Sequence, residues 1–206
     1  MKIQKFIVGS MGTNCYFLIG GDSGECAVVD PGAEAGKIIA KLEEKNLKCT
    51  HILLTHAHFD HIMALEEVRA ETGAPVFVHE ADSDFLTDND LNCMSVFSSE
   101  NLKINPADRL IRDGDELEIA GETVKVMHTP GHTPGSVCFL CGSDIISGDT
   151  LFRGSIGRYD LPGGDFMTLL GSLKALSELE GDRRVYPGHG PSTNLDRERG
   201  ANLYLN

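Results

Sequence analysis

The feature that most restricts this chain is the heptapeptide Thr55-His56-Ala57-His58-Phe59-Asp60-His61, which follows the apolar run His51-Ile52-Leu53-Leu54. A short apolar run bounded by polar residues reads as a buried strand. A sheet built on such a strand must cover both faces with further layers, so the chain needs a layered α/β core around this point. Three imidazoles and a carboxylate then arrive within six residues. One histidine there would be an ordinary solvated loop residue, but a cluster this dense is not. A loop leaving a rigid strand can aim several side chains at one point. Imidazole nitrogen and carboxylate oxygen together suit zinc, iron or manganese.

Three isolated residues sit in similar surroundings. His132 lies in His128-Thr129-Pro130-Gly131-His132-Thr133-Pro134-Gly135, Asp149 in Ser147-Gly148-Asp149-Thr150, and His189 in Tyr186-Pro187-Gly188-His189-Gly190-Pro191. Each follows a strand-like run, and each is framed by glycine or proline, which turn the chain tightly and leave room around one side chain. Singly these are turn residues; together they suggest several strand ends meeting at one site.

The rest of the chain supplies the layers. Strands are expected at Lys2–Val8, Asn14–Ile19, Glu25–Val29, Pro75–Val78, Glu116–Ile119, Thr123–Met127, Ser136–Leu140, Asp144–Ile146 and Arg184–Tyr186. Helical spacing marks Ala33–Lys45, Ile62–Glu71 and a helical stretch near Glu80–Leu86. It marks another after Asp165, an N-cap residue followed by Phe166, Leu169, Leu170, Leu173 and Leu176 on one face. A terminal helix is expected from about Thr193. Thr87–Arg109 has weak periodicity; a segment that long is either a lid over the site or a surface excursion. Strands, helices, strands, helices in that order point to one domain over residues 1–206, an α/β four-layer αββα sandwich.

Charge and cysteine usage narrow the partners. The net charge of −13 argues against nucleic acid and against an anionic membrane surface, and leaves a small-molecule substrate. No apolar run approaches the roughly 20 residues that span a bilayer, and no export signal is visible, so a cytoplasmic location is expected. Six scattered cysteines fit a reducing compartment. Cys138 and Cys141 make a C-x-x-C spacing, but on a strand such positions face opposite ways and cannot share a metal.

His-x-His-x-Asp-His, followed by an isolated His, Gly-Asp-Thr and Gly-His-Gly, resembles the metallo-β-lactamase superfamily along nearly the whole chain. The resemblance implies an αββα sandwich with two divalent metal ions at one edge, zinc first, iron or manganese as alternatives. It implies that His56, His58 and His132 hold one ion, that Asp60, His61 and His189 hold the other, and that Asp149 bridges both. His51, His79 and His128 match no ligand position and are expected to be structural. Asp149 at the bridging position and the absence of an export signal separate the chain from true zinc β-lactamases. Ala57-His58 separates it from flavodiiron reductases, which carry Glu at the second ligand position.

Gly148 to Arg158 and the continuation Tyr159-Asp160-Leu161-Pro162-Gly163-Gly164-Asp165 resemble the glyoxalase II branch, in particular its short bacterial relatives. The C-terminal helical domain of full-length glyoxalase II has no counterpart before Asn206, which puts glutathione itself in doubt. Thioester hydrolysis is the expected activity, with a metal-bridging hydroxide as nucleophile and Asp60 orienting it as the catalytic residue. Arg158 falls where glyoxalase II has a basic residue near glutathione. It is a candidate substrate-binding residue; the alternative is a salt-bridged surface arginine. Two competing functions are kept: a mononuclear-iron persulfide dioxygenase of the same family, and a non-catalytic metal-binding module. Seven ligand-type residues exceed the four that close a structural site, which disfavours the module.

Overall fold

The computed structural model describes residues 1–21, 23–97 and 101–205. The first half runs β1 (Lys2–Val8), β2 (Thr13–Ile19), β3 (Glu25–Val29), α1 (Ala35–Glu44), β4 (Lys48–Leu53), α2 (Phe59–Ile62), α3 (Leu65–Thr72), β5 (Val76–His79), α4 (Met94–Phe97) and β6 (Arg109–Ile111). Its strands form one six-stranded sheet in the order β1-β2-β3-β4-β5-β6. The first three are antiparallel, and β3 to β6 are parallel. The second half runs β7 (Glu116–Ile119), β8 (Glu122–His128), β9 (Val137–Cys141), β10 (Asp144–Gly148), β11 (Leu151–Phe152), β12 (Ser155–Ile156), α5 (Phe166–Ser177), β13 (Arg184–Pro187), β14 (Thr193–Asn194) and α6 (Leu195–Ala201). Its main sheet has the order β14-β13-β10-β9-β8-β7, and β11 and β12 make a separate small hairpin.

Alternation along the strands builds three apolar layers. On β2, Cys15 and Phe17 face α1 and α3, where Ile38, Leu42, Leu65 and Val68 meet them. Tyr16 and Leu18 face the other way and pack with Val124, Val126, Val137 and Phe139 of the second sheet. The outer face of that sheet carries Cys138, Ile145 and Val185 against Leu169, Leu173 and Leu176 of α5. Each fully buried branched or aromatic side chain contributes roughly 1.5–3 kcal/mol relative to exposure. The result is the four-layer αββα sandwich expected from the order of elements. Cys138 and Cys141 fall in different layers, as strand alternation requires. No helix among the described residues is long and apolar enough to cross a membrane.

Several boundaries differ from expectation. The helix expected at Ile62–Glu71 is two helices, and the first starts inside the histidine motif at Phe59. His58 is extended at φ −70°, ψ 149°, and Asp60 lies in the first turn, where a carboxylate suits the helix dipole. Asp60 and His61 are therefore held by a helix rather than a loop. The terminal helix begins at Leu195, because Thr193–Asn194 first pairs with β13 and Asn194 then caps the helix by accepting from the Arg197 amide. The stretch near Glu80–Leu86 is two short 3-10 turns, Glu80–Asp82 and Asp84–Leu86. Within Thr87–Arg109, Met94–Phe97 is helical; residues 98–100 of that expected lid or excursion lie outside the described residues.

Candidate metal centre

Strand ends from both sheets meet at one edge of the sandwich. His56 and His58 leave the end of β4, Asp60 and His61 open α2, His132 lies between β8 and β9, Asp149 follows β10, and His189 follows β13. The edge is stitched across the two sheets. The Val137 amide donates to the Thr55 carbonyl at 2.8 Å, and the Asn14 amide to the Gly188 carbonyl at 2.7 Å. Glycine is required where the backbone closes on the site: a Cβ on Gly188 would lie 2.1 Å from Asp149 Oδ1, and one on Gly32 would lie 2.0 Å from the Asp60 carbonyl.

The donor atoms of these side chains fall into three overlapping groups that could hold a cation: His56, His58 and His132; His56, His61 and Asp149; Asp60, His61 and His189. In the first, His132 Nε2 lies 2.9 Å from His58 Nδ1 and 3.2 Å from His56 Nε2. In the last, His61 Nε2 and His189 Nε2 are 3.4 Å apart, and His189 Nε2 is 3.1 Å from Asp60 Oδ2. Asp149 lies between the groups, with Oδ1 3.5 Å from His61 Nε2 and Oδ2 3.7 Å from His132 Nε2 and 3.6 Å from His189 Nε2. Donors held about 2.0–2.2 Å from one first-row cation are about 3.0–3.5 Å from each other, so the spacing suits cations between them.

The outer nitrogens fix which way the inner lone pairs point. His61 Nδ1 donates to Asp30 Oδ2 at 3.0 Å, and His132 Nδ1 to the Arg158 carbonyl at 2.7 Å. Thr55 Oγ1 donates to Asp30 Oδ2 at 2.7 Å and accepts from His56 Nδ1 at 3.1 Å. The inward nitrogens of His56, His61 and His132 are thus left as lone pairs facing other lone pairs, an arrangement a cation relieves. Asp149 Oδ1 is buried with no hydrogen-bond partner, which points the same way.

Burial, reinforced by neighbouring imidazoles, pushes His56 well below the usual histidine range and His58 down to about 3. Burial lowers His132 as well. These three are neutral, the form that binds metal. Burial would raise Asp60 and Asp149, but the adjacent histidines outweigh it and hold both carboxyls below their ordinary value. For His61, burial is outweighed by Asp60, Asp149 and Asp30, which lift it well above the usual range. For His189 burial is likewise outweighed, by the Asp60 contact and by Asp149, and its value is raised. Three carboxylates around His61 call for positive charge, which a proton or a metal ion can provide.

Two positioning carboxylates escape a reading of the sequence. Asp30, fully buried, accepts from the Thr55 amide at 2.8 Å besides orienting His61. Its signal was an acid at the end of an apolar strand, in Val29-Asp30-Pro31-Gly32, where only the Pro-Gly stop draws notice. Asp82 is also fully buried, and it ties together the two loops that supply the first group. It accepts from the Ala57 amide at 3.1 Å, from Thr133 Oγ1 at 2.8 Å and from the Gly135 amide at 2.6 Å. Burial, only partly offset by these hydrogen bonds, pushes its carboxyl up to about 6. Nothing in Glu80-Ala81-Asp82-Ser83-Asp84 distinguishes it from a solvated acidic turn.

The remaining histidines stay outside the three groups. His51 packs on Phe77, and His79 and His128 stack with ring centres 3.9 Å apart. His128 Nε2 donates to the Pro134 carbonyl at 2.8 Å, which braces the His132 turn. Arg158 lines the cavity in front of the cluster, about 510 Å³ in volume, but its guanidinium also grips Asp160 through two bonds of 2.8 and 2.9 Å.

Comparison with known proteins agrees with this architecture. Residues 8–189 match the Metallo-beta-lactamase superfamily, and the chain belongs to it. It is 43% identical to a Bacillus subtilis protein named probable metallo-hydrolase YqgX, over 100% of this chain and 98% of that one. It is 33% identical to the Haemophilus influenzae hydroxyacylglutathione hydrolase GloC, over 100% and 99%. Among solved structures it resembles BLEG-1 B3 metallo-beta-lactamase (TM-score 0.94, 38% identity, 99% of each chain). It also resembles TTHA1623 in a di-iron-bound form (TM-score 0.88, 38% identity, 98% and 100%). ETHE1 from Myxococcus xanthus is similar at TM-score 0.82 and 27% identity, over 98% and 84%.

Proposed function

We propose that this protein is a metal-dependent hydrolase that cleaves thioesters. The observation that carries the reading is the convergence of seven donor side chains in three overlapping groups, five of which, His58, Asp60, His132, Asp149 and His189, line one cavity. His56, His58 and His132 would hold one divalent ion, Asp60, His61 and His189 a second, and Asp149 both. Two such ions supply, when bound, a water acidic enough to lose a proton near neutral pH and a Lewis acid for a carbonyl. Zinc or manganese suits the donors, and the di-iron form of TTHA1623 supports iron as well.

The chain's own residues then have defined tasks. Asp60, braced by the hydrogen bond from Thr13 Oγ1 at 3.2 Å, accepts a hydrogen bond from the attacking water and receives its proton. The water oxygen bonds to the thioester carbon, and the carbon–sulfur bond breaks with its electron pair on sulfur. The thiolate recovers the proton from Asp60, so one water is consumed and an acid and a thiol are released. A thiolate is a good leaving group, with a thiol pKa of about 8.5, and no further acid is needed. The name of GloC supports a thioester, and that of YqgX supports a metallo-hydrolase. Six free, buried cysteines suit a reducing compartment, and we place the protein in the cytoplasm as a single domain acting on a small molecule.

The second reading is an iron-dependent persulfide dioxygenase, favoured by the two-histidine, one-carboxylate grouping of His56, His61 and Asp149. The likeness to a B3 metallo-β-lactamase adds β-lactams to the substrates worth testing. Protein of determined metal content, assayed against a thioester panel, a β-lactam and a persulfide with an oxygen electrode, separates the three. Thioester turnover dependent on the metal is expected. Oxygen uptake with persulfide and no thioester turnover would install the dioxygenase instead.

A further inference from the structure

Behind its polar floor the cavity is apolar. Met11, Phe59, Phe97, Phe152, Ile156 and Leu161 line the same space as His58, Asp149 and His189. Phe97, at the end of α4, stacks on Phe59 with ring centres 4.5 Å apart and planes at 27°. Phe59 is buried, whereas Phe97 is 52% exposed and Met11 45% exposed. Large apolar side chains left open at the lip of a cavity give a ligand surface to cover. The cavity volume, about 510 Å³, is that of a small-molecule site.

Arg158 is the one lysine or arginine among the described residues lining this space, and Asp160 takes its guanidinium in a fork. Both partners are exposed, so the pair is weak as a source of stability. Its effect on a ligand is different: arginine and carboxylate together present no net charge. An acidic substrate would meet a neutral pair, on a chain whose formal charge is −13.

We propose that the cavity selects an uncharged, largely apolar thioester, with Phe97 as the specificity-determining residue and Asp160 cancelling the attraction that Arg158 would otherwise exert on anions. This rests on the hydrolase reading above and departs from the acidic thiol that the glyoxalase II resemblance suggests. The wall explains the choice physically. Apolar groups gain by covering Phe97 and Met11, whereas a carboxylate placed there loses water and finds no unpaired arginine or lysine.

Three matched thioesters test it: one uncharged on both sides, one with a carboxylate on the acyl side, and one with it on the thiol side. Their non-hydrolysable thioether analogues are measured by calorimetry in parallel. The uncharged thioester should have the lowest KM. Phe97→Ala should raise that KM about tenfold, as expected for losing part of a buried aromatic contact, and Phe97→Leu should restore much of it. Asp160→Ala should lower KM for the two acidic thioesters a few-fold, and added salt should erase the gain by screening the unmasked Arg158. An acidic thioester with the lowest KM in the wild-type protein overturns the proposal, as does a Phe97→Ala variant unchanged toward all three. If no thioester is hydrolysed, the thioethers still decide the matter. Tighter binding of the uncharged analogue keeps the apolar selectivity while the hydrolase reading fails, and no binding of any analogue ends both.

Discussion

The two outer donor groups of the centre differ in how they are made ready for a cation. His56, His58 and His132 are 1–3% exposed, carry no carboxylate and are held neutral by burial. Asp60, His61 and His189 include a carboxylate, lie beside Asp149 and Asp30, and open to the cavity through His189, whose side chain is 28% exposed. The first group is prepared by desolvation, and protons hardly compete for its nitrogens. The second is prepared by opposing charges, and a proton on His61 or His189 competes directly with a metal. A cation should therefore be held more stubbornly by the first group than by the second.

The largest break in this contrast comes from Asp149, whose carboxylate lies between the two groups. Asp149→Asn keeps the shape and removes the charge that offsets repulsion between two cations. The expected outcome is loss of the second ion and a fall in hydrolysis of at least about 100-fold, with an intact fold by circular dichroism. Metal content and activity near wild type would falsify its bridging role.

Acid should separate the groups. The folded-state pKa values of His61 and His189 are raised, so falling pH fills those nitrogens with protons while His56, His58 and His132, with lowered values, stay neutral. Dialysis at stepwise lower pH should take metal content from two ions per chain to one before it approaches zero, and raising the pH with metal present should restore the second. Simultaneous loss of both ions would abolish the distinction.

A smaller effect is expected at Asp82, which touches the loops of the first group alone. Asp82→Ala leaves the Ala57 and Gly135 amides and the Thr133 hydroxyl without their acceptor. Affinity of the first group should fall about 10–100-fold, with the second less affected, and the visible spectrum of the cobalt-substituted protein should report the altered geometry. A loss of thermal stability with an unchanged cobalt spectrum would reduce Asp82 to a structural residue. The smallest effect is expected from Tyr16→Phe. It deletes the 2.5 Å hydrogen bond to the Pro187 carbonyl, while Asn14 Nδ2 still holds that carbonyl at 2.8 Å. Stability should drop by about 1 kcal/mol in denaturant unfolding, with a slight weakening confined to the second ion.

The seven donors were unequally legible in the sequence, and each outer group draws two from the dense motif and one from an isolated turn. His56, His58, Asp60 and His61 announce themselves because they fall within six residues, and the strand before them is plain from its apolar run. His132, Asp149 and His189 carry only a turn signature each; together these suggest one site, and it took the family resemblance to divide them between two ions. Asp30 and Asp82 were invisible as positioning residues, since an acid near a turn looks the same whether it is solvated or receives three hydrogen bonds. Arg158 was visible as a candidate anion anchor, but its fork with Asp160 depends on the local path of the chain after β12, which composition does not describe.

The sequence by itself determined the kinds of donor atom, the alternation that sorts Tyr16 from Phe17 and Cys138 from Cys141, and the glycines at tight corners. These are local matters, settled by residue chemistry and by strand and helix periods. Only the tertiary structure decided that His132 faces His56 and His58, that Asp82 joins two loops from different sheets, and that Phe97 and Met11 wall the same cavity. Periodicity says which face of a strand is buried but not which distant face it meets. That pairing is set by how two whole sheets pack their apolar layers, with the site at the edge where their strand ends coincide.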